Sequence, residues 1–200
     1  IVFIIALSFI IGESKKYRLT PTQNQKIRQA RTLQNNGLNQ QAKEVYYDLF
    51  IESPYLKEAF YPLKKMLKNK NDIENLKKIY PLYLKENDNS VTAKIDVIDI
   101  MIWINDNKWK QVIDEIINNK SAKEKHLKSI LNVLLKNNKN NELKKYIDII
   151  RKKRNEDFFS YELGIHYAIN LSIKESINEF ILHLDYNPQR YNIIRNRILA

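Results

Sequence analysis

Apolar residues along this chain recur at steps of three and four. Phe60, Leu63 and Leu67 are followed, after a polar gap, by Leu76, Tyr80 and Tyr83, and Leu127, Ile130 and Leu134 by Leu143, Ile147 and Ile150. Such spacing gathers the apolar side chains on one side of an α-helix, so each run predicts an amphipathic helix with one buried face. The helices come in twos. Between the members of a pair lie short polar turns such as Asn137-Asn138-Lys139-Asn140-Asn141, where Asn tolerates a left-handed φ and bonds to local backbone in place of Gly.

The residue that anchors the start of the second helix recurs as Ala42, Leu76, Val112, Leu143 and Ser176, at intervals of 34, 36, 31 and 33 residues. A fixed period of this length is the mark of a helical-repeat array, in which each unit covers its apolar face with its neighbour. Five units span 23–56, 57–90, 91–123, 124–156 and 157–190, after a linker at 13–22, and 191–200 reads as the start of a further, truncated repeat. The predicted fold class is all-α, an α-solenoid of antiparallel helix pairs. Two units depart from the rule. In the second, Pro62 and Pro81 interrupt both helices, where a lost donor and a ring clash predict a kink or a restart. In the third, strict registration turns Asp96 and Asp99 inward. Sliding its first helix by two residues turns Val97, Ile98 and Met101 inward instead and leaves a longer turn at Asn105-Asp106-Asn107. Both registers stay open, the shifted one fitting burial better.

Composition supports a helical reading and removes several functions. The chain has 200 residues with 3 Gly and 5 Pro, against average usages of about 7% and 5%, too few for glycine-fingerprint nucleotide folds or turn-rich β-sandwiches. Cysteine is absent, which excludes disulfides, thiolate metal sites and thiol nucleophiles. Formal net charge is +11, and most of the excess falls between Lys120 and Arg154, largely inside the fourth unit. A basic balance points to acidic partners or surfaces, although lysines that merely solvate helix faces give the same count. The apolar run Ile1–Ile11, followed by Gly12 and then Lys15, Lys16 and Arg18, is too short to cross a bilayer as a helix and matches the core of a secretory signal. Segment 1–12 is therefore expected to be a truncated signal peptide or, alternatively, a membrane anchor. Export to a bacterial periplasm or envelope follows from the first reading.

The stretch Tyr161-Glu162-Leu163-Gly164-Ile165-His166-Tyr167-Ala168, followed by Ser176, Phe180 and Asn187-Pro188, resembles the tetratricopeptide repeat (TPR) family. Leu163, Gly164, Tyr167, Ser176, Phe180 and Pro188 fall at the offsets of that pattern, and Ala30, Leu33, Gly37, Ala42, Tyr46, Leu49 and Pro54 repeat it near the start. The resemblance implies a right-handed superhelix, a role in binding proteins rather than in catalysis, and a concave groove lined by the first helix of each unit. Carried over residue by residue, the groove candidates are Ile27 and Arg31, then Tyr61, Lys65 and Lys68, then Lys125, Lys128, Asn132 and Lys136, and finally Phe158, Tyr161 and Ile165. That is a basic groove with an aromatic end, in which Phe158 and Tyr161 would anchor a peptide and the charges would steer an acidic one. The alternative for Phe158, Tyr161 and Ile165 is packing against a further repeat. The carboxylate clamp of some relatives does not transfer, because Ile27 and Arg31 occupy its positions.

Candidate chemistry is thin. Glu162 and His166 share a helix face, but no second His joins them, so an ordinary surface pair is expected rather than a metal site. Asp96, Asp99 and Asp106 read as solvated acids near helix ends. No cofactor and no metal are implied. The expected function is a non-enzymatic scaffold that binds a protein or peptide partner, acidic in part. The alternatives are a basic solenoid that binds nucleic acid and a helical accessory segment of a larger protein, and export would rule out the first of these.

Overall fold

A computed structural model of the chain describes residues 18–119 and 122–198. The segment Ile1–Gly12, on which the export and anchor expectations rest, lies outside the described residues. Among those described, the chain is all-α, with no strand, and no helix is long and apolar enough to cross a membrane. The helices follow in pairs: α1 (Pro21–Asn35) and α2 (Asn39–Glu52), α3 (Lys57–Asn69) and α4 (Ile73–Glu86), α5 (Val91–Trp103) and α6 (Trp109–Asn118), α7 (Glu124–Lys136) and α8 (Asn140–Lys153), α9 (Ser160–Ile169) and α10 (Ile173–Tyr186). A 3₁₀ turn at Pro188–Arg190 leads into α11 (Tyr191–Ile198). Ala42, Leu76, Val112, Leu143 and Ser176 each stand at the fourth residue of the second helix of a pair, as their spacing predicts.

The same backbone device closes all five pairs. Gly37, Asn71, Asn105, Asn138 and Leu171 adopt left-handed φ between 51° and 78° two residues after the first helix. In each turn that residue donates its N–H three positions back and the next residue donates five back, as in Leu38 N to Leu33 O at 2.9 Å and Ser172 N to Tyr167 O at 2.9 Å. This Schellman closure satisfies the orphan carbonyls of the helix end, and it calls for a residue that tolerates positive φ. Four turns use Gly or Asn. The fifth uses Leu171, which carries the steric cost of its Cβ and is 83% exposed. After left-handed Asn105, α6 begins four residues on at Trp109, whereas in the other pairs the second helix begins two residues on. The longer turn at Asn105-Asp106-Asn107 is thus present.

The described residues form two compact units, one up to Ile113 and one from Asp114 on, so that the division falls within α6. In the first, α1 packs on α2, α2 on α3, α3 on α4 and α4 on α5, the sequential contact of a solenoid. Its core holds buried Ala30 of α1, Ala42 and Tyr46 of α2, and a stacked pair, Phe60 and Tyr83, with ring centroids 3.7 Å apart. Both proline-containing helices run on without a restart: each ring removes one donor from a helix whose apolar face is already fixed by burial, and packing offsets the loss. In the second unit α7 packs on α8, α9 on α10 and α10 on α11. There the main chain of Gly164 meets the Phe180 ring, and a Cβ built on Gly164 would lie 2.6 Å from two ring carbons. Ser176 Oγ donates to Gly164 O at 2.8 Å across the same contact.

Candidate interaction face

In the first unit, two groove candidates of α3, Tyr61 and Lys68, together with Lys64 between them, contact a row of side chains on α5. Tyr61, Lys64 and Lys68 stand at steps of three and four, and α5 presents Asp96, Asp99 and Trp103 at the same spacing, while the third candidate, Lys65, lies one helical turn from Tyr61. Tyr61 Oη donates to Asp96 Oδ2 at 2.7 Å, a separation of 35 residues, and the same step joins Lys64 to Asp99 at 3.4 Å and Lys68 to Trp103, whose ring centroid lies 4.6 Å from Lys68 Nζ. Lys68 Nζ also reaches both oxygens of Asp99 at 2.9 Å. The first helices of these two pairs therefore run side by side in register, one repeat length apart.

Asp99 is not a solvated acid: it is 7% exposed and held between two ammonium groups. A buried carboxylate is tolerable only when paired, and Lys64 and Lys68 provide the pairing. Asp96 is half-buried, and burial raises its carboxyl above the ordinary carboxylate range against the opposing hydrogen bond from Tyr61 and the charge of Lys64. Tyr61 and Tyr83, both held to Asp96, are pushed far up, first by burial. Asp106 sits lower than usual because the Tyr80 hydroxyl donates to it at 2.7 Å, and burial together with that carboxylate raises Tyr80 to about 12. Helix α5 is apolar on almost every side, with Val97, Ile98 and Met101 buried as well as Asp99. The two registers left open by sequence are thus not exclusive.

What stays open on this face is Tyr61, Lys65 and Trp103, the last 41% exposed. Lys68 is a groove candidate that the fold spends largely on Asp99 and the Trp103 ring. Arg31 is exposed on α1, and Ile27 is buried, so only the first of that pair can meet a partner.

In the second unit Lys125, Asn132 and Lys136 are exposed on α7. Lys128 is bound to Glu124 at 3.3 Å and to Glu162 of α9 at 3.2 Å. Burial works against its charge, but Glu162 and Glu124 outweigh that and hold the ammonium above its ordinary range. The aromatic end is different from the expectation. Phe158 is 4% exposed and belongs to the core, because left-handed Phe159 at the start of α9 turns the segment inward. Tyr161 and Ile165 are half-buried, and Tyr161 packs against Phe180 and His183 with Arg190 over its ring at 5.9 Å. Much of the local basic excess is also engaged. Arg151 binds Glu179 at 2.6 Å, Lys153 donates to Asn118 at 2.7 Å, and Arg154 donates to Ala122 O at 3.2 Å. The last two flank a cleft of about 230 Å³ floored by Leu127 and Ile150.

Ser160, His183 and Asp157 meet in the same unit, an assembly that sequence reading missed because 23 residues separate Ser160 from His183. Their geometry is not that of a nucleophile and its base. Ser160 Oγ and the Asp157 carboxylate both lie on the Nδ1 side of His183, at 3.2 and 3.9 Å, and Ser160 Oγ donates to Asp157 O at 2.7 Å. A relay needs the acid and the nucleophile on opposite ring nitrogens. Ser160 is also fully buried. Glu162 is taken by Lys128 and His166 lies against Asn170, and among the described residues no group of His, Asp and Glu could hold a metal. Comparison with models of protein families, with curated proteins and with solved structures finds no match to this chain.

Proposed function

We propose that the chain is a non-enzymatic helical-repeat scaffold that binds a protein or peptide, acidic in part, on the exposed faces of its first helices. The TPR resemblance supports this reading, and the observation that carries it is the α3–α5 face. There an exposed cation, Lys65, stands one helical turn from the exposed Tyr61 ring, which the Asp96 hydrogen bond holds, and the exposed Trp103 ring lies against Lys68, itself bound to Asp99. Aromatic side chains held in place lose little entropy on binding, and a nearby ammonium selects and steers an acidic partner. On α7, exposed Lys125, Asn132 and Lys136 offer a similar cationic surface within the second unit.

The test is an array of acidic and neutral peptides, read with the parent chain and with Lys65→Glu and Trp103→Ala. Both positions are exposed, so the fold should survive, with helix content as the check. Selective retention of acidic peptides, weakened at least about tenfold by either substitution, is the expected outcome. Equal retention by parent and variants would overturn the reading. A steep fall of oligonucleotide binding with salt, unaffected by Trp103→Ala, would move the function to nucleic acid.

A further inference from the structure

The fifth helix pair carries an apolar surface that its neighbour in the same unit lacks. Ile173, Ile177 and Ile181 stand at steps of four along α10 and are all exposed, Ile181 to 54%. Ile169 and Leu171 extend the surface onto the turn before it. At the matching positions of α8 stand Asn140, Lys144 and Asp148, also exposed. Helix α8 already has a helix pair stacked after it, with Arg151 bound to Glu179 of α10. That row therefore faces outward even in a continued array, and a further pair stacked after α10 would leave the isoleucines open too.

We infer that this face of α10 binds the same face of a second copy of the chain, with the two helices antiparallel. The charges on the stripe carry the argument. Lys174 and Asp185 flank the isoleucines at opposite ends, both exposed, and neither has an ion-pair partner among the described residues. An antiparallel pairing that sets Ile177 over Ile181 of the second copy brings Lys174 of each chain opposite Asp185 of the other. A two-fold axis thus closes two ion pairs around a shared apolar centre, the self-complementarity an isologous interface requires. Parallel pairing would set like charge against like. Contiguous exposed apolar side chains with a polar rim mark association sites, and Leu171, held in left-handed conformation at a cost the other four turns avoid, keeps the end of the stripe apolar.

Sedimentation equilibrium of the whole chain tests the inference, with helix content checked for each variant. The parent should associate reversibly to a dimer, and Ile177→Lys should weaken that association at least about tenfold. Lys174→Asp and Asp185→Lys should each weaken it a few-fold, and the double variant should recover the parent value, since the two reversals restore opposite charges across the axis. A parent that stays monomeric at roughly 100 µM, or an association that Ile177→Lys leaves unchanged, would overturn the proposal. Failure of the double reversal to restore binding would overturn the antiparallel pairing. A monomer that sediments with anionic vesicles through the same isoleucines would assign the stripe to a lipid surface instead.

Discussion

The contact between α3 and α5 and the contact between α9 and α10 solve the same problem by opposite means. The first brings two helices together through charge: Asp99 sits between Lys64 and Lys68, and Tyr61 reaches Asp96. The second does it through size: Gly164 has no side chain, so the Phe180 ring lies on its backbone and Ser176 bonds to its carbonyl. A contact of complementary charge fails when one partner is removed, because the other is left buried and unpaired. A contact of complementary volume fails when anything is added.

The comparison breaks hardest at Gly164. Replacement by Leu should cost at least about 3 kcal/mol, at or beyond the upper end of overpacking effects, since even a Cβ would lie 2.6 Å from the ring. An unchanged urea midpoint would refute the close approach. Next comes Asp99→Ala, which strands two ammonium groups with little solvent around them and should cost about 3 kcal/mol. Asp96→Asn sharpens the contrast within one helix. The fold raises the Asp96 carboxyl, so it binds that proton more tightly than the unfolded chain does, and ionisation at neutral pH works against folding. Removing the charge while keeping acceptors for Tyr61 and Tyr83 should change stability by under about 1 kcal/mol in either direction.

The remaining effects lie in the fifth pair. Leu171→Gly should stabilise by about 1 kcal/mol, because Gly adopts the left-handed turn without the cost of a Cβ, and the same substitution in a right-handed stretch of helix would do the reverse. The smallest is a slope with pH. His183 is held below its ordinary 6.5, first by burial and then by Arg190 and Lys128, against Asp157 and Glu162. The unfolded chain then binds the proton more readily, so stability from this group is complete above pH 6.5 and is lost as pH falls through the lower folded value. Melting temperature should drop between pH 7 and pH 5, and His183→Phe should flatten that drop relative to the parent.

Much of the fold is legible in the sequence because its determinants are local. The residue three positions into each second helix, the Asn of three turns and the Gly of one all repeat on the chain's own period, and burial follows from helical spacing alone. The site is less legible. Asp99 breaks the apolar pattern, and its meaning appears only when Lys64 and Lys68 of the preceding unit are placed beside it. Phe158 fits a groove position by offset but is turned inward by the left-handed Phe159, a conformation that a bulky residue adopts only under tertiary constraint. Leu171 escapes notice for the same reason. Its conformation is set by the turn it closes and not by its own preference.

The five repeated turns also bear on how the chain comes apart. Each is closed by hydrogen bonds within a few residues, and helices pack mainly on their chain neighbours, so most native contacts are short in sequence. Folding should be rapid, and opening should be graded, since in such an array an end pair can detach while its neighbours keep their structure. Amide hydrogen exchange should therefore fall off toward the interior of each unit, and in the second unit the α11 amides should exchange long before those of α8.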